Sequence, residues 1–268
     1  RKDKHMIKLA SLYSGSSGNA IYISNERTHI LVDAGLSGKR IEESMAAIGG
    51  DIRDIQAIVI SHEHIDHTMG AGILSRRFGI PIYANHRTWE AMRNQLKQIK
   101  PECIKVFSTG QAFSIGDVEV RTFYTPHDAA EPVGFRFCCH NKTATVATDI
   151  GHMDRELLSN LEGSDAILIE SNHDIEMLKM GRYPWPLKQR ILGDSGHLCN
   201  EVAGKVVAYL ASKGTQKFLL GHLSAENNFP ELAFQTVKNA LSEKSIIAGK
   251  DVYLSVAFRD RVSEAICV

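Results

Sequence analysis

The pattern of apolar and polar positions predicts many short strands that occur in runs, with helices between and after the runs. Short apolar segments bounded by turn residues indicate strands. The predicted strands are Lys8–Tyr13, Ala20–Ser24, Thr28–Asp33, Ala57–Ile60, Ile80–Tyr83, Ile104–Phe107, Ala112–Ile115, Val118–Tyr124, Val133–Cys139, Thr143–Thr148, Ala166–Glu170, Lys217–Gly221 and two closing strands. Asn141 and Lys142 form the predicted turn of a hairpin.

Helical spacing of apolar residues occurs in five further segments. The predicted helices are Gly38–Ile48, the segment after His67 to about Phe78, Arg155–Leu161, Cys199–Lys213 and Pro230–Glu243. Runs of strands with helices between them favour an α/β fold in which two mixed sheets pack face to face, with helices on the outside. No repeat, low-complexity tract or linker marks a domain boundary, so we predict one domain over 6–268 and set residues 1–5 aside as a cloning remnant.

Composition narrows the functional classes. The chain has 268 residues, 43% of them hydrophobic, which is enough for a large core without disulfides. The 31 basic and 31 acidic side chains balance, which excludes a uniformly basic nucleic-acid coat. Five cysteines without CxxC spacing, no apolar run of about 20 residues and no signal peptide predict a cytoplasmic protein that does not enter a membrane.

The strongest chemical signal is the segment SHEHIDH, residues 61–67, between a buried strand and a helix. In an extended loop His62 and His64 point to the same side, and Asp66 and His67 fall at the turn into the helix. Imidazole and carboxylate groups are ligands for zinc, manganese and iron. The helical HExxH motif is excluded because Asp66 stands where its second histidine would be. The alternative is a polar loop at a helix start, with Asp66 as the cap.

Three more candidate ligands end strand-like apolar runs: His127, Asp149 and His222. The ends of strands are where layered folds collect functional groups. Each residue taken alone is equally consistent with a hydrogen-bonded core or surface position. Together with the 61–67 segment they favour a metal site.

HxHxDH followed by His127, Asp149 and His222 resembles the metallo-β-lactamase superfamily over nearly the whole chain. The resemblance implies a single-domain, four-layer αββα sandwich with two divalent metal ions at the edge between the sheets. It assigns His62, His64 and His127 to the first metal, and Asp66, His67 and His222 to the second, with Asp149 bridging. Asp33 matches a family motif whose aspartate usually supports the metal ligands rather than binding the metal itself. The alternative is an aspartate that forms the turn at the end of a strand.

Several longer strings resemble one branch, the YycJ/WalJ/VicX family of small nucleases. They are SGSSGNAIYI, SHEHIDH, HDAAEPVGF, ATDIG, ILIESNHD, RYPWPLKQRILGDSGHLCNE and LGHLSAENN. The resemblance implies a cytosolic phosphodiesterase that acts on DNA as a 5′-to-3′ exonuclease linked to DNA repair, with repair proteins as partners. Manganese is favoured on family grounds, and zinc and iron suit the same ligands. The sequence does not predict an oligomeric state.

A catalytic arrangement follows from the same residues. Two metal ions about 3.5–4 Å apart activate a water and contact both the attacking and the leaving oxygen of a phosphodiester. Asp66 is a ligand that can also assist as a base. His197 before a helix is the candidate acid for the leaving oxygen, and Glu170 can orient its imidazole, a pair that resembles one in tRNase Z. The alternative for His197 is a helix-start residue that bonds to the backbone.

Two segments are candidates for substrate binding. Residues 14–19, SGSSGN, offer Ser14, Ser16, Ser17 and Asn19 to a phosphate, unless they are an ordinary strand connection. In the second segment cations alternate with aromatics, which suits single strands or frayed ends of DNA, although a solvated helical face is the alternative. Its residues are Lys179, Arg182, Tyr183, Trp185, Lys188 and Arg190.

Other functions stay open at this point. The same metal site would serve a hydrolase of small phosphodiesters, RNA or thioesters. A metal- or redox-binding protein is a further alternative from a different class.

Overall fold

The computed structural model describes residues 6–268 and contains two seven-stranded sheets with helices outside both. The predicted four-layer αββα sandwich is confirmed. The suggestion that residues 1–5 are a remnant lies outside the described residues. In the part of the chain described, no helix is long and apolar enough to span a membrane.

The first sheet has the strand order β14-β1-β2-β3-β4-β5-β6. Its strands are β1 (Lys8–Tyr13), β2 (Ala20–Ser24), β3 (His29–Val32), β4 (Ala57–Val59), β5 (Ile82–Asn85), β6 (Ile104–Phe107) and β14 (Ile266–Cys267). The strands from β14 to β3 pair antiparallel, and those from β3 to β6 pair parallel. The parallel strands therefore end at a common edge.

The second sheet has the order β13-β12-β11-β10-β9-β8-β7. Its strands are β7 (Ala112–Ile115), β8 (Val118–Tyr124), β9 (Val133–Cys139), β10 (Lys142–Ala147), β11 (Ala166–Glu170), β12 (Lys217–Gly221) and β13 (Tyr253–Val256). Strands β10 to β13 run parallel to one another, and β7 to β10 form an antiparallel meander. The carboxyl ends of β10, β11 and β12 meet at one edge.

Nine α-helices lie among the described residues: α1 (Gly38–Ala47), α2 (Ile65–Thr68), α3 (Ala71–Phe78), α4 (His86–Leu96), α5 (Arg155–Leu161), α6 (Ile175–Met180), α7 (Trp185–Leu192), α8 (Asn200–Ser212) and α9 (Pro230–Glu243). Short 3-10 turns cover Ile52–Asp54 and Pro101–Cys103.

The core is layered in the same way as the elements. Apolar side chains from both sheets, such as Leu9, Ile23, Val120 and Phe135, form the cluster between the sheets. A second cluster joins the first sheet to α1, α3 and α4, and a third joins the second sheet to α5, α8 and α9. Burial of apolar area on both faces of each sheet explains why their central strands are almost continuously hydrophobic.

The structure differs from the sequence predictions in several elements, and among these α6 and α7 were not predicted as helices. Helix α4 was not predicted, although Asn85 caps it by accepting from Thr88 N. The helix predicted after His67 is two helices that meet at Gly70, where a Cβ would lie 2.2 Å from the carbonyl oxygen of Leu36. The hairpin turn between β9 and β10 lies one residue earlier than predicted, because Lys142 already pairs in β10 and His140 takes the left-handed conformation, with φ of 54°.

Three polar residues that follow strands share an unusual backbone conformation. Asp33 after β3, Asp149 after β10 and His222 after β12 have φ values of 59°, 58° and 56°. Non-glycine residues in this left-handed region cost free energy and cluster at functional sites. All three side chains are buried at the edge where the two sheets meet.

Candidate metal centre

The loop between β4 and α2 brings the first histidines together. His62 Nε2 lies 3.1 Å from His64 Nδ1, and the two rings pack edge to face. His127, which follows β8, packs against both rings. The ligand atoms of these three side chains all lie within 4.8 Å of one another, so the set can hold one metal ion.

The protonation of this set suits a metal. Burial lowers the pKa of His62 well below its ordinary value and also lowers the pKa of His127, which favours neutral imidazoles. Neutral imidazole is the form that coordinates metals. Nδ1 of His127 lies 3.0 Å from the carbonyl oxygen of Gly196 and donates to it, which directs the lone pair of Nε2 into the site.

A second set lies beside the first and consists of Asp66, His67 and His222. Oδ2 of Asp66 lies 3.5 Å from Nε2 of His67 and 3.8 Å from Nε2 of His222. The Asp66 side chain is 23% exposed, whereas both imidazoles are buried, so the carboxylate is the part of this set that faces solvent. The two sets together contain all six residues that the resemblance assigned to separate metals.

The carboxylate of Asp149 lies between the two sets. Its Oδ2 is 3.4 Å from Nε2 of His67, and its Oδ1 is 3.6 Å from Nε2 of His127 and 3.5 Å from Nδ1 of His222. Burial opposes ionisation of Asp149, but His222, His67 and His62 lower its pKa well below its ordinary value. The ionised carboxylate of Asp149 therefore places a buried negative charge between the two sets, close to ligand atoms of both.

Asp33 orients the ring of His67 by binding its Nδ1 atom. Its Oδ2 lies 2.7 Å from Nδ1 of His67, and the same carboxylate accepts from the backbone N–H and the hydroxyl of Ser61, both at 2.8 Å. This pairing keeps the proton on Nδ1 and turns Nε2 toward Asp66 and Asp149. Burial alone would lower the pKa of His67, but Asp33, Asp149 and Asp66 raise it well above its ordinary value.

Glu170, at the end of β11, supports the opposite side of the site. Its Oε1 lies 2.8 Å from Nδ1 of His197 and 2.7 Å from Nδ1 of His222, and its Oε2 accepts from the backbone of Ile150 and Leu198. Burial opposes ionisation, but His197 and His222 lower the pKa of Glu170 to about 2. The sequence indicated the contact with His197. It gave no sign of the contact with His222, which depends on the parallel pairing of β11 with β12.

Unpaired buried atoms show that the site fits a metal ion. Among the described residues, His127 Nε2, His222 Nε2 and Asp149 Oδ2 are buried without a hydrogen-bond partner. Leaving a buried polar atom unpaired is costly. These three atoms point into the same cluster of imidazoles and carboxylates, the donor set that divalent transition metals prefer.

The loop at 14–19 divides into buried and exposed residues. The hydroxyl of Ser14 accepts from the backbone N–H of His222 at 2.8 Å, and Asn19 Nδ2 lies 3.1 Å from Nε2 of His67. These two side chains are buried and support the ligands, so the prediction that they contact substrate is corrected. Ser16 and Ser17 are exposed and stay candidates.

The segment of alternating cations and aromatics forms α6, α7 and the turn between them. Arg182 is exposed, and Trp185 is 61% exposed. The expected contribution of Lys188 to DNA contact is wrong, because its side chain is buried and its Nζ donates to the carbonyl oxygen of Lys179 at 2.7 Å. Arg190 makes a two-pronged ion pair with Asp128, the residue that follows His127, so it borders the first ligand set.

Comparison with known proteins finds relatives that match most of the chain. The family model described as "Beta-lactamase superfamily domain" matches residues 28–223. The chain is 42% identical over 239 residues to a protein named exodeoxyribonuclease YycJ from Bacillus anthracis, covering 89% of this chain and 90% of that one. It is also 42% identical over 246 residues to exodeoxyribonuclease WalJ from Streptococcus pneumoniae, covering 91% of each chain.

Solved structures show the same fold at low sequence identity. The metallo-β-lactamase fold protein YhfI from Bacillus subtilis superimposes with a TM-score of 0.69 at 17% identity, covering 97% of this chain and 99% of that one. Zn²⁺-bound PqqB from Methylobacterium extorquens gives 0.64 at 15% identity, covering 96% and 99%. The chain belongs to the beta-lactamase superfamily and, within it, to the family of the YycJ and WalJ proteins.

Proposed function

We propose that this protein is a metal-dependent exodeoxyribonuclease that degrades DNA from the 5′ end. The observation that carries the proposal is the pair of adjoining ligand sets, His62–His64–His127 and Asp66–His67–His222, with Asp149 between them. The names of the two relatives at 42% identity support DNA as the substrate. The 5′-to-3′ direction comes from the family resemblance.

The proposed site holds two divalent ions, one in each ligand set, and we favour manganese over zinc or iron. When bound, such a pair activates water and neutralises the charge that develops on the oxygens of a phosphodiester. Asp149 reaches both sets, and its buried negative charge would offset part of the charge of two cations. Asp33 and Glu170 fix the ring orientations of His67 and His222 through their Nδ1 atoms.

His197 is our candidate for the acid that protonates the departing 3′-oxygen. Its side chain is 19% exposed, and its ring packs beside those of His127 and His222. Glu170 holds Nδ1, which leaves Nε2 to carry the transferred proton. An imidazole held by a buried carboxylate at the edge of a metal site suits general acid catalysis. Asp66 acts mainly as a ligand in this account.

Three groups are proposed to bind the DNA strand near the first ligand set. Arg182 and Arg190 contact phosphates, and the exposed face of Trp185 stacks on a base. Ser16 and Ser17 are available to a phosphate at the second ligand set. We further propose that the enzyme works in the cytoplasm, where its five free cysteines would stay reduced, and that it acts with DNA-repair proteins.

The test is digestion of linear duplex DNA labelled at either the 5′ or the 3′ end, with Mn²⁺ restored to the metal-stripped protein. We expect the 5′ label to appear as mononucleotides at the earliest times, while the 3′ label stays in long fragments. His64→Ala should abolish this activity, and His86→Ala on the exposed face of α4 should not. Cleavage of RNA or of bis(p-nitrophenyl) phosphate without cleavage of DNA would contradict the proposal.

A further inference from the structure

A groove next to the second ligand set has a basic and aromatic lining that the proposed mechanism does not use. It has a volume of about 490 Å³, within the range of ligand pockets. We call it the Arg259 groove, and the residues that matter here are Tyr13, Ser17, Arg40, Ser224, Phe229 and Arg259.

Hydrogen bonds connect the wall of the groove to the metal centre. Ser14 accepts from the backbone N–H of His222, a ligand of the second set, and donates its own backbone N–H to the carbonyl oxygen of Phe258 at 3.2 Å. Arg259 follows Phe258, and Leu223 and Ser224 follow His222 in the groove wall. The wall of the groove is therefore held at a fixed position relative to the second ligand set.

Among the residues that the structure describes, Arg259 lies in the wall without an ion-pair partner. Its stem passes over Gly15, where a Cβ would lie 2.9 Å from Cγ of Arg259, so only glycine leaves room for this path. Its Nε is buried and has no hydrogen-bond partner among residues 6–268. An unpaired buried guanidinium nitrogen is costly, and a planar guanidinium is well suited to bind a phosphate with two hydrogen bonds.

The rest of the lining also suits a nucleotide. The guanidinium of Arg40 lies 5.8 Å from the ring centre of Tyr13, which adds a second cation. Phe229 is 45% exposed, a large apolar ring open to a base. Asp260 also borders the groove, but within the described part of the chain it makes no ion pair with either arginine.

We propose that the Arg259 groove is a nucleotide subsite in which Arg259 binds a phosphate group of the DNA strand and Phe229 stacks on the adjacent base. The proposal rests on the proposed function in that the strand is DNA. The phosphate is either the terminal monoester of the strand or an internal diester. Phosphate binding at a fixed distance from the metal centre would set which bond is cut.

The experiment measures binding rather than cleavage. The full chain, with Ca²⁺ in place of Mn²⁺, is titrated into short single-stranded DNA that carries a 3′ fluorophore and either a 5′-phosphate or a 5′-hydroxyl, and anisotropy gives the Kd. A gel confirms that the strand stays intact. Arg259→Gln keeps the stem over Gly15 and removes the charge. Arg53→Gln is the matched control. Arg53 lies before β4, at the edge of the first sheet opposite the metal centre.

We expect Arg259→Gln to weaken binding about tenfold or more, and Arg53→Gln to leave the Kd within twofold. A loss confined to the 5′-phosphorylated strand identifies the terminal phosphate, and an equal loss for both strands identifies an internal one. The slope of log K against log salt should fall by about 0.7 for the lost contact, an effect that a merely structural arginine would not produce.

Phe229→Ala provides a second variant, because it tests the groove if Arg259→Gln does not fold. We expect it to weaken binding severalfold with the salt slope unchanged. Kd values within twofold of wild type in the folded variants, for both strands, would overturn the proposal. The proposed nuclease activity can fail separately. A protein that binds DNA through Arg259 but does not cut it would contradict the nuclease function and leave the subsite proposal standing.

Discussion

Nδ1 of His197 lies 2.8 Å from Oε1 of Glu170. The same carboxylate oxygen holds Nδ1 of His222, so one buried side chain positions both a metal ligand and the candidate acid. This arrangement fixes the distance between the ligand cluster and the group that would protonate the leaving oxygen. It also separates two roles that substitution can test independently, ligand support and proton transfer.

Replacement of His197 should remove proton transfer without removing the metals. In His197→Ala we expect full metal content by elemental analysis, a nearly unchanged KM for DNA, and a kcat lowered by about 100-fold or more, since a positioned acid contributes about 10²–10⁴. His86→Ala serves as the control, because His86 is exposed on α4. A wild-type kcat in His197→Ala would remove this residue from the mechanism.

Asp33 should control metal affinity through His67. Asparagine also tolerates the left-handed backbone at this position, so Asp33→Asn removes the charge while keeping the turn. We expect the affinity for Mn²⁺ or Zn²⁺ to fall by about 10–100-fold in a competition with a chelator, as for other groups that orient ligands. Glu90→Gln on α4 is the control. Equal affinities in Asp33→Asn and wild type would show that the pair is only structural.

The corrected position of Lys188 gives a paired prediction for the α6–α7 surface. Because Nζ of Lys188 is buried against the carbonyl oxygen of Lys179, Lys188→Met should leave the Kd for DNA and its salt dependence unchanged. The exposed Arg182 should behave differently, and Arg182→Gln should weaken binding and reduce the salt slope by about 0.7–0.9. Anisotropy titrations at several salt concentrations measure both. The reverse order of effects would mean that Lys188 turns outward to bind DNA.

A stability prediction concerns Asp117, in the turn between β7 and β8. Its Oδ1 accepts from Thr28 Oγ1 at 2.6 Å and from Asn25 Nδ2 at 2.9 Å, and these bonds lower its pKa. Because the pKa is lower in the folded state, the ionised carboxylate stabilises the fold at pH values above the unfolded-state pKa of about 3.9. This contribution is lost as the pH falls through the pKa of the folded state.

Asp117→Asn should therefore be less stable than wild type by about 0.5–1 kcal/mol at pH 7, a value kept small by solvent exposure. The difference should shrink at pH 3. Urea denaturation of both proteins, stripped of metal, gives the two free energies of unfolding. An equal difference at both pH values would show that the charge of Asp117 contributes nothing.

The sequence predicted the sheets well because their central strands are buried on both faces and form apolar runs between turns. It failed for α4, whose apolar residues, Trp89, Met92 and Leu96, are few among polar ones. The cap at Asn85 and the spacing of those three residues were the available indications. The break at Gly70 depends on the close approach of Leu36 from a distant loop, which no local pattern shows.

The clustering of the candidate ligand residues could also be predicted, since they follow strands that must end at one edge. The supporting contacts could not, because they connect residues far apart in the chain. The Ser14 hydroxyl that binds the backbone of His222 is such a case. Nor could the sequence show that Lys188 turns inward while Arg182, in the same segment, stays exposed.

Removal of nucleotides from DNA ends is the activity that we propose for this metal centre. One experiment separates it from internal cleavage: the Mn²⁺-loaded protein is incubated with one plasmid in two forms, linear and covalently closed, with His64→Ala in parallel. We expect the linear form to be degraded, the closed circle to stay intact, and the variant to degrade neither. Loss of the closed circle would show an endonuclease, and an intact linear plasmid with metal bound would rule out the proposed exonuclease.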